Sequence, residues 1–186
     1  MFNKILVALD TAESCSPLFE KAMMLAQVTA SDLILLGVLV PGGDGALPLS
    51  SFPEMTGYPL MNTDSTLQLY QEHFEARRAE SLATLSRYLD SAIAAGVQAE
   101  LRQELGDPGQ VICNVAEAKN AELIIVGSHG RRGLDEFLVG SVSSYVMHHA
   151  PCSVLVDRDA VTQKKRTQKK AYAEQKKRGA MMPKNN

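Results

Sequence analysis

The chain has 186 residues, enough for one domain with a sizeable core, and its 45% hydrophobic and 22% charged residues exclude disorder of the whole chain. Its net charge of −2 conceals two opposed regions: residues 1–159 hold 10 Lys/Arg against 20 Asp/Glu, whereas residues 160–186 hold nine against Glu174 alone. No stretch approaches the ~18 apolar residues of a membrane span, and Asp10 stops the first apolar run short of a signal-peptide core, so a cytoplasmic location is expected.

Lys4 to Leu9 is short and rich in Ile, Leu and Val, which fits a buried parallel strand. Ser16 and Pro17 then provide an N-cap and a first-turn proline, and Leu18, Ala22, Leu25 and Ala26 recur at helical spacing as far as Thr29. A second buried strand covers residues 33–40. Residues 41–62 hold Gly42, Gly43, Gly45, Pro48, Pro53, Gly57 and Pro59, which forbid a continuous helix or central strand. This insertion can serve as a lid, a partner surface or a plain loop.

From about Ser65, the apolar residues Tyr70, Phe74, Leu82, Leu85, Leu89 and Ile93 predict a long helix that Gly96 ends. Residues 97–103 alternate in polarity and read as a third strand near a sheet edge. Asp107 and Pro108 open another helix with the apolar face Val111, Ile112, Val115 and Ala116. A fourth strand at 123–126, a fourth helix at 140–150 and a fifth strand at 152–156 complete an alternation of strands and helices. The expected fold class is α/β: a five-stranded parallel sheet, doubly wound and Rossmann-like, with helices on both faces. Such sheets bind ligands at the carboxyl ends of their strands, near the point where strand order reverses. The domain is expected over 1–159, with the insertion 41–62, followed by a basic, disordered tail over 160–186. Cys15, Cys113 and Cys152 are far apart and lack metal spacing, so buried reduced thiols are expected.

Residues 127–141 read GSHGRRGLDEFLVGS. A strand, a glycine loop and a helix start let backbone N–H groups converge on a phosphate. Ser141, Val142 and Ser143 add amides and two hydroxyls where the helix dipole favours anions. The loop lacks the Gly-Lys-Ser/Thr of a Walker A motif. It also follows the fourth strand, whereas a dinucleotide fingerprint belongs after the first, where this chain has Asp10-Thr11-Ala12.

The segments Gly127-Ser128-His129-Gly130, Gly140-Ser141-Val142 and Ala150-Pro151-Cys152-Ser153-Val154-Leu155-Val156, with the opening Lys4-Ile5-Leu6-Val7-Ala8-Leu9-Asp10, resemble the universal stress protein family over residues 1–157. The complete G-x2-G-x9-G-S spacing marks its ATP-binding branch. The resemblance implies ATP as cofactor, or AMP or ADP in its place, with Mg²⁺ able to accompany the triphosphate. It implies that Asp10 bonds the ribose hydroxyls and that Ala8 and Val38 lie beside adenine, the Val38 backbone reading the base edge. Val126 and Gly127 would pack on the ribose side. Gly130, Gly140, Ser141, Val142 and Ser143 would surround the phosphates. It also implies a homodimer formed by pairing the last strand, Cys152 to Val156, with its mate, which would cover an exposed edge.

Other features leave alternatives open. Arg131-Arg132 can clamp the γ-phosphate or neutralise Asp135-Glu136, while those carboxylates can repel a triphosphate, hold Mg²⁺ or stay solvated. His129 lacks a partner for general-base work and suits loop conformation or a phosphate-side hydrogen bond better. A phospho-accepting receiver reading of Asp10 needs further acids and a lysine at strand ends; Arg102, Gln103 and Glu104 follow strand three, and no lysine follows strand five until Lys164.

No catalytic constellation is visible. The reading is an ATP-binding stress-response module whose nucleotide state modulates an unknown regulatory protein partner. The alternatives are a slow Mg-dependent ATPase or phosphotransferase, with Asp10 or Asp135 near the metal, and an adaptor whose tail binds nucleic acid or anionic membrane through its repeated Gln-Lys-Lys.

Overall fold

The structure, a computed structural model, describes residues 2–10, 16–41, 63–128 and 140–158. Apart from Pro41, the insertion lies outside the described residues, as does the tail. Among the described residues, five strands and four helices alternate: β1 (Lys4–Ala8), α1 (Ser16–Thr29), β2 (Asp32–Leu39), α2 (Thr63–Ala94), β3 (Ala99–Leu105), α3 (Pro108–Ala118), β4 (Leu123–Gly127), α4 (Ser141–His149) and β5 (Ser153–Asp157). All strand pairs are parallel, and the order is β3-β2-β1-β4-β5. This is the doubly wound sheet expected from the alternation.

Side chains of a strand point alternately to its two faces, and both faces here are covered. Ile5, Val7, Leu33, Leu35, Leu123 and Ile125 pack with Leu18, Phe19, Ala22, Met23 and Ala26 of α1 and Leu85 and Ala92 of α2. Leu6, Ile34, Leu36, Ile124 and Val126 pack with Ile112, Cys113 and Ala116 of α3 and Val146 of α4. β3 is an edge strand without a fully buried residue, in line with its alternating polarity. It is displaced two residues toward the C-terminus from the expected 97–103.

α2 differs from its expected stripe. Leu82 is 43% and Ile93 59% exposed, while Ser81, Leu85 and Ala92 are buried and Tyr88 and Leu89 pack on the core. At ~100° per residue the contacting face centres on Leu85 and Ala92, and Leu82 and Ile93 fall off its edge. Small Ser81 and Ala92 let the helix approach the sheet, and Tyr88 meets Phe19 of α1 with ring centroids 4.5 Å apart. Gly96, at φ +79°, ends α2 as expected.

α3 begins as its sequence dictates. The Asp107 side chain accepts the Gln110 N–H at 3.1 Å, and Pro108 occupies the first turn. Gly109 is required by packing: a Cβ there would stand 2.7 Å from Cδ1 of Tyr145 on α4.

Candidate functional site

Strand order reverses beside β1. The chain leaves β1 through α1 toward β2 on one face, then crosses by α3 on the other face to β4. The carboxyl ends of β1 and β4 therefore lie at the switch point, where sheets of this class take ligands in a crevice.

Three of the residues expected to contact a nucleoside lie on one floor. Ala8 of β1, Val38 of β2 and Val126 of β4 all belong to the apolar cluster beneath α3 and α4, and Val142 at the start of α4 joins them. Val126 is buried, whereas Ala8, Val38 and Val142 are half-buried. Leu9 continues the β1 ladder by donating its N–H to the Leu36 carbonyl at 2.9 Å, and the chain emerges at half-buried Asp10.

The glycine-loop residues 129–139, including Gly130 and Arg131 and also His129, Arg132, Asp135 and Glu136, lie outside the described residues. The two ends of that loop meet. Ser128 N–H donates to the Asp157 carbonyl at 2.8 Å, continuing the β4–β5 ladder, and Gly140 N–H donates to the Ser128 carbonyl at 2.6 Å. Ser143 is 1% exposed, and its hydroxyl lies 3.0 Å from the Gly140 carbonyl and 3.4 Å from that of Ser128. Ser143 therefore contributes its hydroxyl to closing this neck.

Gly140 is the N-cap of α4 and makes no side-chain cap bond. The first-turn amides of α4 thus stand beside the loop with no side-chain cap, as an anion site requires. The apolar floor and the first-turn amides of α4 are of the kind that a nucleotide's base and phosphates require. Among the described residues, no three His, Cys, Asp or Glu side chains gather as metal ligands, and no helix is long and apolar enough to cross a membrane.

Sequence reasoning missed Ser128 as the hub of the neck, and it missed Lys21 and Asp157. Lys21 Nζ lies 2.6 Å from Asp157 Oδ1. The available signal was an aspartate closing an otherwise apolar strand. A separate groove of about 330 Å³ runs between α3 and α4, lined by Gln110, Cys113, Asn114, Glu117, Tyr145, His149 and Pro151, and contains none of the strand-end residues. Burial raises the thiol pKa of Cys113, and burial followed by the neighbouring Cys113 raises that of Cys152; both are free thiols. Cys113 is buried and Cys152 half-buried, while Cys15 lies outside the described residues.

These features define the doubly wound α/β class that takes small ligands at its switch point. The comparisons narrow the class. The model of the Universal stress protein family matches residues 1–158. The universal stress protein YxiE of Bacillus subtilis is 34% identical over 163 residues, covering 85% of this chain and all of its own, and Sll1388 of Synechocystis is 33% identical over 155 residues, covering 83% and 97%. Among solved structures, UspA from Lactobacillus plantarum superposes with a TM-score of 0.65 at 23% identity, covering 84% of this chain and 97% of its own. A universal stress protein solved in complex with cAMP gives 0.54 at 22% identity, covering 84% and 97%, and the Archaeoglobus fulgidus protein in complex with dAMP gives 0.53 at 19%, covering 84% and 98%. The chain belongs to the universal stress protein family.

Proposed function

We propose that the crevice between β1 and β4 binds an adenine nucleotide, ATP foremost, and that the chain is a regulatory module whose nucleotide state alters its partner contacts. The observation that carries this reading is the N-terminus of α4, capped by Gly140 without a side-chain bond and held at the end of β4 by the Gly140–Ser128 hydrogen bond. The complexes of related proteins with cAMP and dAMP support an adenosine-type ligand.

In this reading Ala8 and Val38 flank adenine, the Val38 backbone reads its edge, and Asp10 accepts hydrogen bonds from the ribose hydroxyls. Val126 and Gly127 pack beside the sugar. Gly130, Arg131, Gly140, Ser141, Val142 and Ser143 hold the phosphates, Ser143 through its N–H, because its hydroxyl serves the neck. Mg²⁺ accompanies the triphosphate and offsets its charge. The edge position of β5 and the 40% exposure of Leu155 support a homodimer paired through that strand.

Calorimetry of the purified chain with ATP, ADP, AMP and 2′-deoxy-ATP tests the site. ATP binding is expected, with Asp10→Asn erasing the preference for ATP over its deoxy analogue. Gly140→Leu is expected to abolish binding while the chain still folds, because φ −57° at this position suits any residue. Absence of ATP binding at ~1 mM, a weak-ligand concentration, sinks the proposal.

A further inference from the structure

Asp157 is a buried carboxylate that the nucleotide reading does not use. β5 sends Val154 and Val156 to the α3/α4 cluster, whereas Ser153 and Leu155, on the opposite face, are exposed. Asp157 shares that exposed face and is nevertheless 6% exposed. Lys21 of α1 covers it, with Nζ 2.6 Å from Oδ1. α1 lies over β1 and β4, so this lysine reaches past β4 to the outermost strand.

Such a pair offers little net stability, because desolvation of the two charges offsets their attraction. Its connections are more informative. The Asp157 carbonyl accepts the Ser128 N–H, and the Ser128 carbonyl accepts the Gly140 N–H and lies within reach of the Ser143 hydroxyl. A continuous run of bonds thus links the ion pair to the first turn of α4. At its other end, Lys21 sits in the helix that follows Asp10.

We propose that Lys21 and Asp157 are positioning residues. Their ion pair ties α1, on the nucleoside side, to the neck of the glycine loop on the phosphate side, and so holds the α4 amides at binding distance. This rests on the nucleotide reading above. Backbone donors lose strength steeply with distance and angle, so a neck free to shift binds phosphate less well.

The test uses the full chain with Lys21→Met, Asp157→Asn, the double variant and Lys21→Arg. Hydrogen exchange without nucleotide is expected to quicken about tenfold at the Ser128 and Gly140 amides in the first three, and to stay unchanged in the β2 amides. The ATP dissociation constant is expected to rise about tenfold in each single variant and no further in the double one, as for residues acting through one network. Lys21→Arg is expected to keep both properties near wild type.

Exchange that is unchanged at the neck, or that rises equally throughout the sheet, overturns the proposal. So does a loosened neck with an unaltered dissociation constant. If the wild-type chain binds no ATP, the nucleotide reading fails, and the exchange data alone decide whether the pair holds the neck.

Discussion

The two faces of the sheet are built from the same strands but finish differently at the carboxyl end. Beneath α1 and α2, the apolar side chains run from Ile5 and Val7 of β1 to Leu9 just beyond it, all buried. Beneath α3 and α4, burial is complete at Leu6 and then opens at half-buried Ala8, with Val38 and Val142 beside it. Along β1, one face is packed to its rim, and the other stops one layer short. In the proposed reading the binding crevice needs no separate structure: it is the place where this core is left unfilled, next to the amides of a helix start.

Substitutions on each face probe this difference. The largest expected effect is on the closed face. Leu35→Ala removes a fully buried side chain and should cost ~3 kcal/mol, lowering the thermal midpoint by ~10 °C. Calorimetric titration of the protein still folded should give the wild-type nucleotide affinity; a changed affinity would show that the faces are not independent. On the open face, Ala8→Leu fills the space proposed for adenine. It should weaken ATP binding about 100-fold and leave the midpoint within a few degrees.

Gly109→Ala tests the seam between α3 and α4. The added Cβ meets the Tyr145 ring at 2.7 Å, so the ring or the helix must shift at a cost of ~1–3 kcal/mol in denaturant melts. Removal of the α3 cap by Asp107→Ala should cost ~1 kcal/mol, because the Gln110 N–H loses its acceptor.

The smallest effect lies at the opposite end of the sheet. The Asn3 side chain, followed by its backbone N–H, lowers the Glu122 pKa from its ordinary 4.5. A depressed folded-state value means that the contribution is complete above about 4.5, near the unfolded value, and is lost as pH falls through the lower folded one. The small difference in midpoint between wild type and Asn3→Ala should therefore shrink in melts taken below about pH 4.5. A difference independent of pH would assign it to packing.

Much of the fold was legible because its signals are local. Asp107-Pro108 marks a helix start through bonds within one turn, Gly96 marks a stop through its positive φ, and the runs in β1, β2 and β4 mark buried strands. In α2 the same method misjudged the face. Leu82 and Ile93 are apolar and nearly in phase, yet the sheet met Ser81 and Ala92, whose small side chains allow close approach. At the site, Ala8 and Val126 entered through the family resemblance, whereas Val38 and the Gly140 helix start were readable from strand ends and glycine spacing. The use of the Ser143 hydroxyl in the neck was not, since its carbonyl acceptor on Ser128 lies 15 residues away in sequence.

The sequence by itself determined which segments become helices and strands, that the strands are parallel and covered on both faces, and that a glycine loop precedes a helix start. These follow from backbone dihedrals, capping and side-chain periodicity, which act over a few residues. Only the tertiary structure decided which strands are neighbours, which face of α2 is buried, and that Lys21 meets Asp157 across 136 positions. Such contacts depend on where packing brings distant segments, and no local pattern encodes that distance.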